Sequence, residues 1–415
     1  YSLLFTSLLS VSAYAGTDDE TAYALNTLLF LVSGFLVMLM AAGFCMLESG
    51  MVTSKSVSTI AAKNIGLYSI AGLMFWVIGY NVAYGIPEGG YIGSFTPWSD
   101  ASAIDTGYSD GSDWFFQMVF CATTVSIVSG TLAERIKIWP FFLFAAILTG
   151  IIYPIEMGWQ WGGGWLSAAG FSDFAGSTLV HAAGGAAALA GAIVLGPRLG
   201  RFSNGKLVPF ASSSIPLATL GTFILWFGWF GFNGGSQLAL AGFENATAVA
   251  TIYINTNLAA CAGVMTCAII TRLVNGKTDV IMMLNGALGG LVAITAEPLT
   301  PTPLMAIIIG SIGGIIVILG TQALNKFQID DVVGAIPVHL FAGIWGTLAV
   351  PLTNSGTSFG PQLLGTASIC AFVFVVSFIV WSIMKATIGI RISEEAEKEG
   401  TDIAETGVTA YAIRD

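Results

Sequence analysis

The 415-residue chain contains two histidines, His181 and His339, and their surroundings repeat. Each follows a valine (Val180, Val338), lies eight residues after an aspartate (Asp173, Asp331) and four before a glycine (Gly185, Gly343). Two imidazoles at equivalent places in a doubled sequence can be brought together by a two-fold axis. If they share a single proton, the pair offers one hydrogen-bond donor and one acceptor. That suits a small neutral hydrogen-bonding molecule, or a proton handed along separately. Neither ring has an acidic partner nearby in sequence, as a proton-pump relay would. No serine, cysteine or metal-ligand constellation stands beside either histidine, so the chain reads as no enzyme, with no metal and no cofactor.

The elements that must hold these rings are membrane helices. Fourteen basic and 24 acidic residues make 9% of the chain charged, against roughly 25% in an average soluble protein. The hydrophobic fraction is 55%, and 51 glycines accompany it. In lipid, small residues let helix backbones approach closely. A net charge of −10 opposes a phosphate-backbone partner, so no nucleic acid is expected. The five cysteines (Cys45, Cys121, Cys261, Cys267, Cys370) lie in apolar stretches without metal-binding spacing and read as small packing residues.

Apolar runs of about 20 residues select helices over the shorter alternating strands of a barrel. Eleven spans are predicted, at 24–48, 58–84, 113–134, 138–158, 176–196, 212–235, 246–272, 279–297, 303–325, 334–352 and 362–388. All 14 basic residues fall on one side of this arrangement, whereas the opposite connections hold acids, among them Glu88, Asp105, Asp110, Glu156, Asp173, Glu244 and Glu297. The bias predicts an outside N-terminus and a cytoplasmic C-terminus in the plasma (inner) membrane. Residues 1–15 read as the remnant of a secretory signal peptide ending in Ser12-Ala13-Tyr14-Ala15, with a short interfacial helix as the alternative.

His181 falls on the fifth span and His339 on the tenth, so each closes a five-helix unit, about 24–196 and about 212–352. Five is odd, so the units are inverted. The fold class expected is an all-α polytopic membrane protein, an inverted five-plus-five repeat (24–388 in all, including a last helix at 362–388) followed by a tail over 389–415. In such repeats the working site lies near the midplane between the halves. Ionisable groups are costly in the membrane interior and usually mark a pathway. Charged transit through a lumen of Phe, Ala, Gly, Leu and Val carries a Born penalty of tens of kcal/mol.

Several strings resemble the ammonium transporter family, which includes the methylammonium permeases and Rhesus proteins. They are Ala42-Gly43-Phe44 through Leu47-Glu48-Ser49-Gly50, Gly130-Thr131-Leu132-Ala133-Glu134-Arg135, Asp173 through His181, Gly228-Trp229-Phe230-Gly231-Phe232-Asn233-Gly234-Gly235-Ser236, and Glu399-Gly400-Thr401-Asp402-Ile403-Ala404. The resemblance covers residues from about 24 to 411 and implies a homotrimer with one pore per subunit. It implies an outer ammonium-recruiting site at Trp161, Phe120 and Ser236, a stacked gate of Phe120 and Phe232, and then the twin histidines. A cation against aromatic faces gains about 0.5–2 kcal/mol per ring. Asp173 is expected to cap its helix, and the resemblance adds electrostatic support of the recruiting site. Trp159, Trp165, Trp226 and Trp229 read as packing or interface residues, and Glu48 and Glu134 as structural partners of Lys63 or Arg135.

The chain departs from the family pattern at Gly334, Pro337 and Leu340, where most members have aspartate, glycine and glycine. Pro337 lacks an amide hydrogen and is expected to loosen the helix before His339. The leading reading is uptake of ammonium, with a PII regulatory protein as a partner at the cytosolic face. The alternative is an ammonium sensor that reports through a fused signalling domain beyond the tail. A channel for water, urea or carbon dioxide is the third reading.

Overall fold

A computed structural model of the protein describes residues 18–411. The signal-peptide reading of residues 1–15 lies outside the described residues. Eleven long helices carry the fold: α1 (Asp19–Met51), α2 (Val57–Tyr84), α3 (Asp110–Thr131), α4 (Ile138–Gly158), α5 (Ser177–Leu195), α6 (Ile215–Gly235), α7 (Phe243–Asn275), α8 (Val280–Thr295), α9 (Pro303–Lys326), α10 (Ile336–Leu352) and α11 (Phe359–Thr387). Among the described residues nine of these are long and apolar enough to cross a bilayer, and the other two are α8 and α10. At 16 residues, α8 is about 24 Å long, shorter than a ~30 Å hydrocarbon core. Every residue from Leu284 to Thr295 is buried, so most of this short helix is wrapped by protein, and its first turn, where Val280 is exposed, is the part that is not.

Two solvents are legible on α1. Phe30, Val37, Met40 and Phe44 are buried, whereas Leu28, Phe35, Met38 and Leu39 are exposed on the other side. An apolar residue facing lipid loses nothing, so the exposed face is as greasy as the buried one. What then holds helices together is close packing. Glycines supply it between α1 and α6: a Cβ on Gly221 would collide with the backbone of Leu47, and one on Gly50 would lie 2.6 Å from the Ser214 carbonyl oxygen.

The inverted repeat appears as paired contacts. α1 and α6, the first helices of the two halves, pack together, and so do α5 and α10, the last. The chain entering α5 leans on the end of α8, with Phe174 N donating to Ala296 O at 2.9 Å and Ala175 N to Thr295 O at 3.1 Å. The chain entering α10 leans on the end of α3, where Thr131 Oγ1 donates to Asp331 Oδ1 at 3.0 Å. Each entering segment turns at a glycine with left-handed backbone five residues before its histidine, Gly176 (φ 103°) and Gly334 (φ 79°). Gly334 therefore belongs to the repeat, since a side chain there would be strained.

Both histidines sit in a widened π-helical turn, Ser177–Ala182 in α5 and Ile336–Phe341 in α10. α5 widens in the same way without a proline, so the turn is common to both halves and does not require one. π-turns concentrate at functional sites.

At the end of the molecule that collects the basic residues, a buried ion network ties the halves. Arg198 bonds Asp330 through Nε at 2.7 Å and Nη2 at 2.9 Å, and its Nη1 meets Glu134. The expected partner of Glu134, Arg135, instead donates to the carbonyls of Thr131, Ala133, Gly196 and Asp330. Its guanidinium is turned back along its own turn, out of reach of the preceding carboxylate. The tail folds over this end: Asp402 accepts from Val57 N at 3.1 Å and Thr59 N at 2.8 Å, capping α2, and Glu405 accepts from Ile138 N at 2.7 Å at the start of α4.

Candidate functional site

The interior holds a column of aromatic rings between two cavities. At the end opposite the ion network, a cavity of about 250 Å³ is lined by Phe116, Phe120, Trp161, Phe174 and Ser236, with Asp113, Gln117 and tyrosines around its rim. Its aromatic walls come from α2, α3, the turn after α4 and the segment entering α5, and Ser236 reaches it from the end of α6. Trp161 is fixed by its indole N–H, which donates to the backbone carbonyl of Asp173 at 2.9 Å. Ser236, seven residues after Trp229 on α6, donates its hydroxyl to Phe232 O at 2.8 Å, leaving its oxygen lone pairs toward the cavity.

Beneath the cavity Phe120 and Phe232 lie face to face, centroids 3.9 Å apart and planes at 24°, with Trp161 edge-on to Phe120 at 5.9 Å. This stack closes the column. Phe232 then stacks on His181 at 5.2 Å, and His181 on His339 at 5.2 Å. The two Nδ1 atoms are 3.2 Å apart, both rings are buried, and His181 Nε2 has no hydrogen-bond partner among the described residues. For neutral rings a hydrogen bond between two Nδ1 atoms demands complementary tautomers, one donating and one accepting.

The local sequence explains why the rings meet. The glycine four residues after each histidine faces the other half's helix: a Cβ on Gly185 would lie 2.6 Å from Leu340 N, and one on Gly343 would collide with the carbonyl of Ser177. α5 and α10 are thus in backbone contact at the level of the rings, and Thr178 Oγ1 and Thr347 Oγ1 share a 2.7 Å hydrogen bond one level away. Asp173 caps α5 by accepting from the amides of Gly176, Ser177, Thr178 and Leu179 at 2.7–3.0 Å. Asp331 does the same for α10 through Gly334 N at 3.2 Å and Ile336 N at 2.7 Å.

Below His339 the column narrows to a space of about 10 Å³ among Phe44, Glu48, Asn285 and Val338, and then opens into a cavity of about 450 Å³ at the basic end. Glu48 and Lys63 share Ser129: its hydroxyl donates to Glu48 Oε2 at 2.8 Å, and its carbonyl accepts from Lys63 Nζ at 2.8 Å. Glu48 is therefore both a structural partner and a wall of the inner space.

All seven sequence-predicted residues lie along this column: Ser236, Trp161 and Phe120 at the cavity, Phe232 beneath, His181 and His339 next, and Asp173 behind Trp161. Sequence reasoning placed Trp229 with packing residues, but it stacks on His181 at 4.8 Å and 20° while its indole donates to Thr295 Oγ1 at 2.8 Å. The signal was available, because Trp229, Phe232 and Ser236 follow one another at three- and four-residue steps on one helix face. Glu156, read as an acid of an outer connection, is instead fully buried within α4.

Comparison with known proteins agrees with this geometry. Residues 28–411 match the Ammonium Transporter Family. The chain is 39% identical over 419 residues to a putative ammonium transporter of Synechocystis, covering 99% of this chain and 94% of that protein. It is 41% identical over 418 residues to ammonium transporter Amt2 of Archaeoglobus fulgidus, covering 92% and 87%. Among solved structures, a sensor Amt protein superposes with TM-score 0.88 at 34% identity, covering 94% of this chain and all of that one. Mep2 of Candida albicans superposes with TM-score 0.83 at 26% identity, covering 96% and 95%. With a column of stacked rings between two inverted halves and relatives matched along nearly their whole length, the chain belongs to the ammonium transporter family, a family of membrane transport proteins.

Proposed function

We propose that this protein takes up ammonium across the plasma membrane. The cation is recruited in the outer cavity by the faces of Trp161 and Phe120 and the lone pairs of Ser236, with Asp173 supporting the site from behind. It gives up a proton near Phe120 and Phe232 to water of the outer cavity, which carries it back to the outside solution, and the two rings swing apart to pass the neutral ammonia. Ammonia then moves along His181 and His339, where one nitrogen donates to it and another accepts from it. Desolvation drives this order, because an apolar column excludes the ion by tens of kcal/mol and passes the neutral form.

The observation that carries the reading is the 3.2 Å contact between the two imidazoles directly beneath a stacked phenylalanine pair. In this reading the basic end faces the cytoplasm, three copies assemble with one conduit each, and the cytoplasmic surface offers a dock for a PII-type regulator. A receptor that binds ammonium without conducting is not favoured, since the Synechocystis and Archaeoglobus relatives are named transporters.

Reconstitution in liposomes tests the proposal. An ammonium gradient is expected to give a current or an internal pH change, and a His181→Ala, His339→Ala double variant to alter it. If the native protein gives neither signal while a known transporter does, transport is abandoned. Permeability to urea or water above that to methylammonium would favour a general small-solute channel instead.

A further inference from the structure

The outer cavity is more than its aromatic walls. On α3, Asp113, Phe116, Gln117 and Phe120 follow at steps of three, four and seven residues, so one helical stripe faces the cavity. Asp113 and Gln117 are each 7% exposed. Tyr80 donates its hydroxyl to Asp113 Oδ2 at 2.6 Å, and Gln117 Nε2 donates to Asp113 Oδ1 at 3.4 Å. The opposite amide orientation would set oxygen against oxygen, so the carboxylate fixes which way the amide points. Gln117 Oε1 is left buried with no hydrogen-bond partner among the described residues, at the wall of the same cavity.

The donors around this cavity are largely spent inside the protein. The indole of Trp161 is on Asp173 O, the hydroxyl of Ser236 on Phe232 O, and those of Tyr80 and the Gln117 amide on Asp113. The hydroxyls of Tyr84 and Tyr108 can act either way. Toward the cavity there remain acceptors (Ser236 Oγ, Gln117 Oε1), aromatic faces, and Asp113 as the one acidic or basic side chain among the described lining residues. A guest that satisfies such walls is a small cation rich in N–H donors. An anion is disfavoured beside the Asp113 carboxylate.

We infer that Asp113 and Gln117 form the acidic half of the outer cation site: Gln117 Oε1 accepts a hydrogen bond from the bound ammonium-type cation, and Asp113 supplies the charge and holds the amide in the accepting orientation. The inference rests on the proposed recruitment of ammonium in this cavity. It assigns the capture step a carboxylate that the recruiting triad of Trp161, Phe120 and Ser236 lacks.

The test compares native protein with Asp113→Asn and Gln117→Met, both in liposome uptake and by calorimetric titration of ammonium chloride in detergent. Both variants are expected to raise the half-saturating ammonium concentration about five- to tenfold while the maximal rate stays within about twofold, and Asp113→Glu to recover part of the loss. A merely structural role would instead lower the maximal rate with half-saturation unchanged, and that result overturns the inference, as does unchanged half-saturation in both variants. If Asp113→Asn does not fold, Gln117→Met alone decides. If the native protein binds ammonium but does not conduct, loss of binding in the variants upholds this site while the transport reading falls.

Discussion

The residues that matter most here are those whose second contact decides their role. Trp229 could be counted as one more buried aromatic, yet one face of its ring covers His181 and its indole N–H is anchored on Thr295. Two functions can be separated by two substitutions. Trp229→Phe keeps a ring beside the imidazole and loses one hydrogen bond, an expected cost of about 1 kcal/mol. Trp229→Ala empties a fully buried site and is expected to cost about 3–5 kcal/mol. Thermal unfolding in detergent reads both, and equal losses would show that the ring itself contributes nothing. The histidines, the phenylalanine pair, Trp161 and Ser236 were legible as individual residues because each stands in a distinctive string. Trp229 was read as packing although its helix-face spacing with Phe232 and Ser236 carried the signal, and Asp113 and Gln117 were not singled out, because what orients them includes a tyrosine of another helix, Tyr80.

Helices were the most legible level. The second span was expected at 58–84 and runs Val57–Tyr84, since a run of apolar residues bounded by charge states its own limits in lipid. α1 begins earlier than expected, at Asp19, because Asp18 caps it through Thr21 N at 2.7 Å and Asp19 and Glu20 suit the positive end of its dipole. The widened turns at the histidines were not legible from Pro337, since α5 has the same turn without one. What the elements do state is where they must touch. Gly343 and Gly185 hold α5 and α10 in backbone contact, so Gly343→Leu is expected to push the helices apart. The overpacking costs about 1–3 kcal/mol, and the imidazoles lose their hydrogen bond. Loss of uptake with a lowered unfolding temperature would bear this out. Normal uptake would mean that the rings need not touch.

At the scale of the whole molecule, the two halves are joined at the basic end by charge rather than by grease. Burial raises the proton affinity of Asp330, but hydrogen bonds from Arg198 and the charges of Arg135 and Arg198 outweigh it and hold the carboxyl well below its ordinary range. A carboxylate so depressed contributes stability above its unfolded value of about 3.9, lost only as the pH falls through the lower folded value. The native protein is therefore expected to hold its unfolding temperature from pH 7 to about pH 4 and to lose it below. Asp330→Asn leaves Arg198 buried without its main partner, at an expected cost of about 3–5 kcal/mol at neutral pH, with a flatter acid limb. A variant as stable as the native chain would mean that the network is dispensable. This network was hidden from the sequence because Arg198, in the connection between the halves, bridges Glu134 of the first to Asp330 of the second, and nothing local to Glu134 favours Arg198 over its neighbour Arg135.

The two halves copy each other down to a glycine five residues before each ring, yet the facing atoms are both Nδ1. Identical atoms cannot both lend a hydrogen, so at any instant the near-copies are unlike at this one point. The ring that accepts at Nδ1 carries its hydrogen on Nε2, and the ring that donates there has a bare Nε2. A visitor touching one far nitrogen as an acceptor must touch the other as a donor, and swapping the rings' hydrogens reverses both roles together. A single hydrogen atom thereby gives the pair a direction, and the two possible arrangements point along the passage in opposite senses.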